Sequence, residues 1–474
     1  MERAFRTVAM QPVRLPENYY YGGGAADTYL SMPALCLFLL CALLVLAVPR
    51  RYVIAPFLVA AILIPLGNVV VVAGLHWMLL RCLLLLGWVR VLWIRLVVND
   101  KRRLGRLNSL DKALILWAIS NAVFYAINWG TMAALTNRLG FLYTTLGGFL
   151  LLRFLVRDRN DVMLVIRVLA LICLLVAPFM IVERVTGANL YSSIFGGGSA
   201  ISSIRDGKIR AQGPFDHPII AGTVGAMLLP LFIGLWQNGR RYHLWAGLGV
   251  ASAMTMAFTS NSSTSVLTAF AGIGALSLWP FRRNMRLICW SVVGVLVTLQ
   301  IVMKADVWFL INRIGSLTGG SSWHRAQLVD QFIRHVGDWW LVGTQNNAYW
   351  GIDMWDVDNA YVSAAFSGGL VTFVLFVAVL IYGYKTVGKA RRMAVQYPKT
   401  ERFIWALGAT LFANTVAFFG VLYFDQSSTI WYTFLAAINA VAMSAKMDFG
   451  LLGAPVEPIM EEESRALVLS QRIG

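Results

Sequence analysis

The chain has 474 residues, 58% of them hydrophobic and only 13% charged, with a mean hydropathy of +0.67. A soluble domain is nearer about 45–50% apolar and about 25% charged, so a water-soluble globular class is excluded. The net charge of +17 sits in short clusters between apolar runs, the pattern that orients membrane spans, and this excludes a nucleic-acid-binding face.

Residues 1–28 form a polar N-terminal tail with no cleavable signal peptide: the first apolar run opens near Tyr29 and is followed by Pro49, Arg50 and Arg51, with no small-residue cleavage site. Runs of roughly 17–24 residues, enough for a hydrocarbon core of about 30 Å, lie near 29–48, 53–75, 77–98, 112–130, 139–156, 161–182, 217–236, 243–260, 264–280, 287–303, 360–383, 403–423 and 430–446. The expected architecture is therefore an all-α integral membrane protein with about 12–13 transmembrane helices in one polytopic domain over 29–446, followed by a C-terminal tail at 447–474. The five cysteines, Cys36, Cys41, Cys82, Cys173 and Cys289, all fall in apolar segments without the spacing of a disulfide framework or a metal site.

Basic clusters "NDKRRLGR" (99–106), "RDRND" (157–161), "NGRRYH" (238–243), "FRRNMR" (281–286) and "KTVGKARRMAVQYPKTER" (385–402) fall on one side if every intervening run spans, which marks that side as cytoplasmic. The C-terminal tail joins them and the N-terminus lies opposite. Arg3, Arg6 and Arg14 sit uneasily there, so one of the first three runs is expected to be re-entrant or to lie flat.

Two long segments then face outward, 183–216 and 304–359. Loops above ~15 residues in a compact protein usually carry function or are disordered. The second holds Trp308, Trp323, Trp339, Trp340, Trp350 and Trp355, and its stretch "WHRAQLVDQFIRHV" (323–336) spaces Leu328, Phe332 and Val336 as a short amphipathic helix on the outer face. No internal repeat is visible, which argues against an inverted-repeat transporter.

The stretch "IRAQGPFDHPIIAG" (209–222) places Arg210, Asp216 and His217 at a span entrance. Asp216 can cap the helix and Pro218 suits its first turn, with Arg210 reaching for lipid phosphates. Alternatively Arg205, Lys208, Arg210 and His217 form a cationic mouth at a helix N-terminus, suited to a phosphate. The second loop adds Arg313, His324, Arg325, Arg334 and His335, followed by Asp353, Asp356 and Asp358. These aspartates could pair with the arginines, hold a divalent cation or act as a base; a hard-cation cage needs more oxygen ligands than this run evidently supplies. Arg81, Arg90 and Arg95 lie within one apolar run; anchoring accounts for them, though Arg81 could also grip a diphosphate near the external end.

In order and spacing the chain resembles the O-antigen ligase and polymerase group (Wzy/WaaL-like) of bacterial membrane glycosyltransferases. The resemblance covers roughly residues 50–445 and rests on "LHWMLLRCLLLLGWVRVLWIR", "IVERVTGANLY", "RAQGPFDHPIIAG", "SSWHRAQLVDQFIRHVGDWWLVGTQ" and "VDNAYVSAAFSGGLVTFVLF", in that order.

The resemblance implies a GT-C-like helical fold in the bacterial inner membrane and a cofactor-free, metal-independent, inverting transfer at the periplasmic face. The implied donor is an undecaprenyl-diphosphate-linked glycan and the acceptor a glycan or lipid-linked sugar, with other polysaccharide-assembly membrane proteins as neighbours. Arg210 would bind the diphosphate, and Arg325 matches the arginine that opens the main-loop helix. Asp358 is the candidate base, with His335 and His217 as rivals; Arg205, Lys208, Arg313, His324, Asn359 and Arg81 complete the substrate-binding set, with no metal ligand among them. Ligases of the group carry a His-Asn pair where this chain has Asp358-Asn359, and a Ser-Arg pair in the middle spans where it has "TSNSSTS" (259–265). Both departures favour a polymerase of lipid-linked repeat units over a ligase. A flippase of the same lipids is the alternative from another class.

Overall fold

The computed structural model describes residues 28–72, 75–96, 107–205, 207–310 and 322–450. In chain order the helices are α1 (Met32–Ala47), α2 (Ile54–Leu63), α3 (Leu79–Leu96), α4 (Ser109–Trp129), α5 (Met132–Leu155), α6 (Arg159–Thr186), α7 (Leu190–Phe195), α8 (Pro218–Trp236), α9 (His243–Thr259), α10 (Ser263–Ser277), α11 (Met285–Val302), α12 (Ser322–Arg334), α13 (Val336–Trp339), α14 (Ala360–Met393), α15 (Pro398–Ala417) and α16 (Asp425–Gly450). Each expected apolar run contains a helix. Among the described residues seven are long and apolar enough to cross a membrane: α4, α5, α6, α8, α11, α14 and the stretch Gln426–Met447 of α16. Two antiparallel hairpins, β1 (Val69–Val72) with β2 (Leu75–Met78) and β3 (Ser203–Arg205) with β4 (Lys208–Arg210), qualify the all-α expectation.

Local chemistry sets the helix ends. Asn108 and Asp111 form a reciprocal capping box at the start of α4, whose far end is closed by left-handed Gly130. Asp158 caps α6 and left-handed Gly187 closes it, so this helix runs four residues past the expected loop boundary at 183.

One end of the bundle is a connected polar network. Arg159 donates to Thr400 Oγ1 at 3.1 Å and to Asn238 Oδ1 at 2.6 Å. Arg282 pairs with Glu401 at 3.3 Å, Arg50 with Asp161 at 3.3 Å and Arg153 with Asp111 at 2.7 Å, while Asn439 donates to Asp111 at 2.8 Å. The basic clusters around 157–161, 238–243, 281–286 and 385–402 therefore meet at one end. The cluster at 99–106 lies outside the described residues, as do the N-terminal arginines and the C-terminal acidic run.

The first eighty residues follow the same alternation. Tyr29 pairs with Val69, and Ser31 bonds the Phe195 carbonyl, both at the end opposite the network. From Arg50 the chain returns through α2 to Leu63, whose carbonyl accepts from Tyr191 Oη at 2.5 Å. The run at 53–75 thus has contacts at both ends of the bundle, but it is not a continuous helix. Its helix has only ten residues, about 15 Å of rise, because Pro65 and Gly67 stop it and the remaining valines pair as a strand.

The bundle core runs through α2, α5, α6, α8, α9, α14, α15 and α16. A second apolar cluster, Leu328, Trp339, Trp350, Met354, Val362 and Ala365, fixes α12 and the 347–358 loop onto α14. There α14 is kinked at Gly368 and Gly369. Gly369 has φ +70, and a Cβ would lie 2.5 Å from the Leu341 carbonyl oxygen. Only glycine allows that approach, by which Leu370 N donates to Trp340 O at 2.8 Å and Thr344 N to Phe366 O at 3.1 Å.

Candidate functional site

At the end opposite the basic network, the 259–265 stretch breaks the chain between α9 and α10. Asn261 takes φ +47 there, and Ser260, Ser262, Thr264 and Ser265 are buried. A Cβ at Gly222, at the start of the second turn of α8, would run into the Ser260 and Ser265 side chains. The hydroxyl-rich break is therefore a packed floor under the start of α8.

Above it lies Arg325. Leu328 anchors α12 in the aromatic cluster, which turns Arg325 toward the bundle; the residue is 7% exposed. Its Nε donates to Asp358 Oδ2 at 3.0 Å and its Nη1 to Ser263 Oγ at 3.3 Å. The guanidinium lies against Gly420, where a Cβ would stand 2.9 Å from Nε. Among the described residues Asp358 Oδ1 is buried without a hydrogen-bond partner, which is costly for a carboxylate oxygen unless a further donor arrives.

The second wall is the β3–β4 hairpin. Its register pairs Arg205 with Lys208 and Ser203 with Arg210, so these four share one face while Ile204 and Ile209 take the other. Three cations thus project from one side of a short ribbon. Arg210 is buried, 6% exposed, so it is held within the fold and is not extended as a surface anchor among lipid headgroups. The ribbon is clamped from below by Glu183, fully buried, which accepts from Ser202 Oγ at 3.0 Å, Gln212 N at 3.1 Å and Gly213 N at 2.8 Å. Arg184 bonds the Ile209 carbonyl, and Ala211 N donates to Thr259 O at 3.1 Å, tying the ribbon to the hydroxyl-rich break.

His217 joins the two walls. It, and not Asp216 as expected, caps α8: Nδ1 accepts from Ile219 N at 3.2 Å, and Pro218 takes the first turn. Desolvation by the surrounding chain, then the charges of Arg210 and Arg205, push its imidazole down to about 4, against an opposing pull from Asp358. The ring is exposed at the surface, so water screens part of this effect, but the direction leaves it neutral at pH 7. His217, the cationic ribbon and Asp358 therefore share one electrostatic environment.

The remaining expected residues separate. His324 bonds the carbonyl of Asp353 at 2.9 Å and so braces the 351–358 loop, while Asp353 itself sits at φ +58. Asn359 caps α14, accepting from Tyr361 N at 2.9 Å and Val362 N at 3.2 Å. That assigns it a structural bond and removes the cap as an explanation for Asp358. His335 follows the last residue of α12, ten residues and about 15 Å of helix rise beyond Arg325; it stacks on Trp350 at 4.7 Å and bonds Gln331 O. It is thus engaged in the aromatic cluster. Arg81 bonds the His76 carbonyl at 2.9 Å and lies against Gly140, among β2 and α5. Arg313 lies outside the described residues. Asp356 is exposed near Asp358, and its carboxyl is shifted upward, first by desolvation and then by the Asp358 charge. Among the described residues no three His, Cys, Asp or Glu side chains converge as a metal site.

Three contributors were not singled out from the sequence. Glu183 carried a readable signal, since an acid at the edge of an apolar run is rare without a partner. Gln426, whose Nε2 donates to the carbonyls of Ile62, Ile64 and Pro214, and Gly420 carried none, because their role exists only once distant segments meet. No known protein family matches the chain, and no curated protein shows significant similarity to it.

Proposed function

We propose that the chain is a membrane glycosyltransferase that polymerises polyprenyl-diphosphate-linked oligosaccharide repeats at the periplasmic face of the bacterial inner membrane. The observation that carries this reading is the buried Arg325 paired with Asp358, whose second oxygen has no partner among the described residues, at the end of the bundle opposite the basic network, with buried Arg210 and Asp358 both acting on His217 between them. The positive-inside rule makes the network end cytoplasmic and the arginine end external.

The chemistry follows from charge. An acceptor hydroxyl attacks the anomeric carbon of the donor sugar, the new C–O bond forms as the bond to the diphosphate breaks, and the leaving lipid diphosphate takes the electron pair. Its growing charge is met by Arg210, Arg325 and the Arg205–Lys208 pair, preorganised donors of the type that lower such barriers most. The acceptor's proton passes to Asp358 through Oδ1. Attack opposite the leaving group inverts the anomeric centre. Neutral His217 leaves the cationic wall unreinforced at pH 7 but offers a polar ring at the helix start. A GT-C-like arrangement of 12–13 spans belongs to this reading, as do a periplasmic location for both long loops and a cytoplasmic C-terminus.

A flippase of the same lipids would distribute cations along a path open to both ends, whereas here they gather at one end. The test is to incubate the purified chain with lipid-diphosphate oligosaccharide. A ladder of longer products is the expected outcome; an unchanged donor with every repeat unit tried overturns the proposal.

A further inference from the structure

Two tryptophans sit on the segments that carry Arg325 and Asp358 and are exposed, while the same loop buries Leu328, Trp339, Trp350 and Met354. Trp323 is 54% exposed and Trp355 59%. Trp323 stands two residues before Arg325, and Trp355 stands three before Asp358. The segments that carry them are fastened together just after Trp323 and on both sides of Trp355, by the His324 to Asp353 carbonyl bond at 2.9 Å and the Arg325–Asp358 pair at 3.0 Å. Below, Trp350 and Met354 are buried against Leu328, and Asn347 Nδ2 bonds the Met354 carbonyl. The loop is thus built and anchored, yet Trp323 and Trp355 stand exposed on it together with Trp340, Leu341, Tyr349 and Ile352, an apolar surface that calls for an occupant.

We propose that Trp323 and Trp355 form a stacking platform for the pyranose rings of a glycan, holding the acceptor sugar beside the Arg325–Asp358 pair. The proposal rests on the glycosyltransferase reading and names the acceptor's subsite within it. The axial C–H face of a pyranose is apolar and complements an indole face, and indoles supply large, rigid contact area at low entropic cost. The hydroxyl edge of the same sugar needs acceptors, and the loop provides the exposed carboxyls of Asp353 and Asp356 next to the indoles. The same tryptophans on a lipid surface would form an interfacial belt. The acidic run from Asp353 to Asp358 makes that occupant unfavourable, because it would set carboxylates against lipid phosphates.

The experiment uses the detergent-purified full chain with two readouts. The first is equilibrium titration with the free repeat-unit oligosaccharide, which needs no reaction; the second is steady-state extension of the lipid-linked donor with acceptor concentration varied. Trp323→Ala and Trp355→Ala are each expected to weaken free-glycan binding and raise the acceptor KM by about tenfold, with kcat and the donor KM little changed. Trp323→Phe and Trp355→Phe, which keep an aromatic face, should recover most of that affinity and guard against a folding defect. Unchanged glycan affinity in both alanine variants overturns the platform, as does a loss of thermal stability or vesicle association with acceptor KM intact, the result a lipid belt would give. If the wild-type chain binds free glycan through these indoles but extends no donor, the transfer reading fails while the platform stands.

Discussion

Arg325 and Asp358 are 33 positions apart in the chain and meet at 3.0 Å, Nε to Oδ2, in a pocket where Ser263 and Gly420 take up the rest of the contact. One pair thus joins α12, the entrance of α14, the start of α10 and the turn after α15. Its remaining acceptor, Asp358 Oδ1, has no partner among the described residues.

Asp358→Asn separates the two roles this pair can have. Asn359 already caps α14, so the substitution removes no cap. The amide keeps the shape but cannot take a proton, and general-base help is worth about 10²–10⁴ in rate. Donor binding should survive while single-turnover transfer falls by that order. Turnover near that of the wild-type chain with a lowered melting temperature would make the pair structural only.

Glu183→Ala tests the clamp under the cationic ribbon. The substitution strands the Ser202 hydroxyl and the Gln212 and Gly213 amides, a loss on the order of 3 kcal/mol for buried bonds to a charged group. Thermal unfolding in detergent should shift down, and Arg210-dependent donor binding should weaken with it. Glu183→Gln, which keeps one acceptor oxygen, should do less.

His217 gives a pH signature of fixed sign. Its folded pKa is pushed down to about 4 from the usual 6.5, so between those values the unfolded chain binds the proton and the folded chain does not. Stability contributed by neutral His217 is therefore complete above about 6.5 and is lost as pH falls toward 4. Melting temperatures of the wild-type chain and of His217→Asn, which keeps a capping acceptor, should converge over that window. A stability difference that grows on acidification would contradict the assignment.

Sidedness is open to direct labelling. Ser199→Cys and Gly337→Cys lie at exposed positions of the two long loops and should react with an impermeant thiol reagent in cells with a permeabilised outer membrane. A cysteine at Arg283, beside the Arg282–Glu401 pair, should not. The reverse pattern would place the arginine site on the cytoplasmic side.

The helices were largely legible because apolar runs of membrane length, capping residues such as Asn108 and Asp158, and basic clusters are all local signals. The run at 53–75 misled because a continuous apolar stretch does not distinguish helix from strand: Pro65 and Gly67 end α2, and Val69–Val72 pairs with Leu75–Met78. At the site, Arg210, Arg205, Lys208, Arg325 and His217 were visible as a concentration of ionisable groups at span entrances. Their division into two walls was not, since it depends on the register of a hairpin and on Glu183 beneath it. Asp216 and His217 were interchanged as caps because either side chain can accept from the first turn, and only the backbone path decides.

The central claim is that Arg210 and Arg325, without help from a divalent ion, stabilise the departing lipid diphosphate. The direct measurement is release of lipid diphosphate from a radiolabelled donor in a single turnover, with a strong chelator present, by the wild-type chain and by Arg210→Ala, Arg325→Ala and the corresponding lysine variants. The account predicts full release by the wild-type chain in chelator, a loss on the order of 10²–10³ in each alanine variant, and partial recovery with lysine, which lacks the bidentate fork. Release that stops in chelator and returns with added Mg²⁺ or Ca²⁺, or that continues near the wild-type rate in both alanine variants, would contradict it.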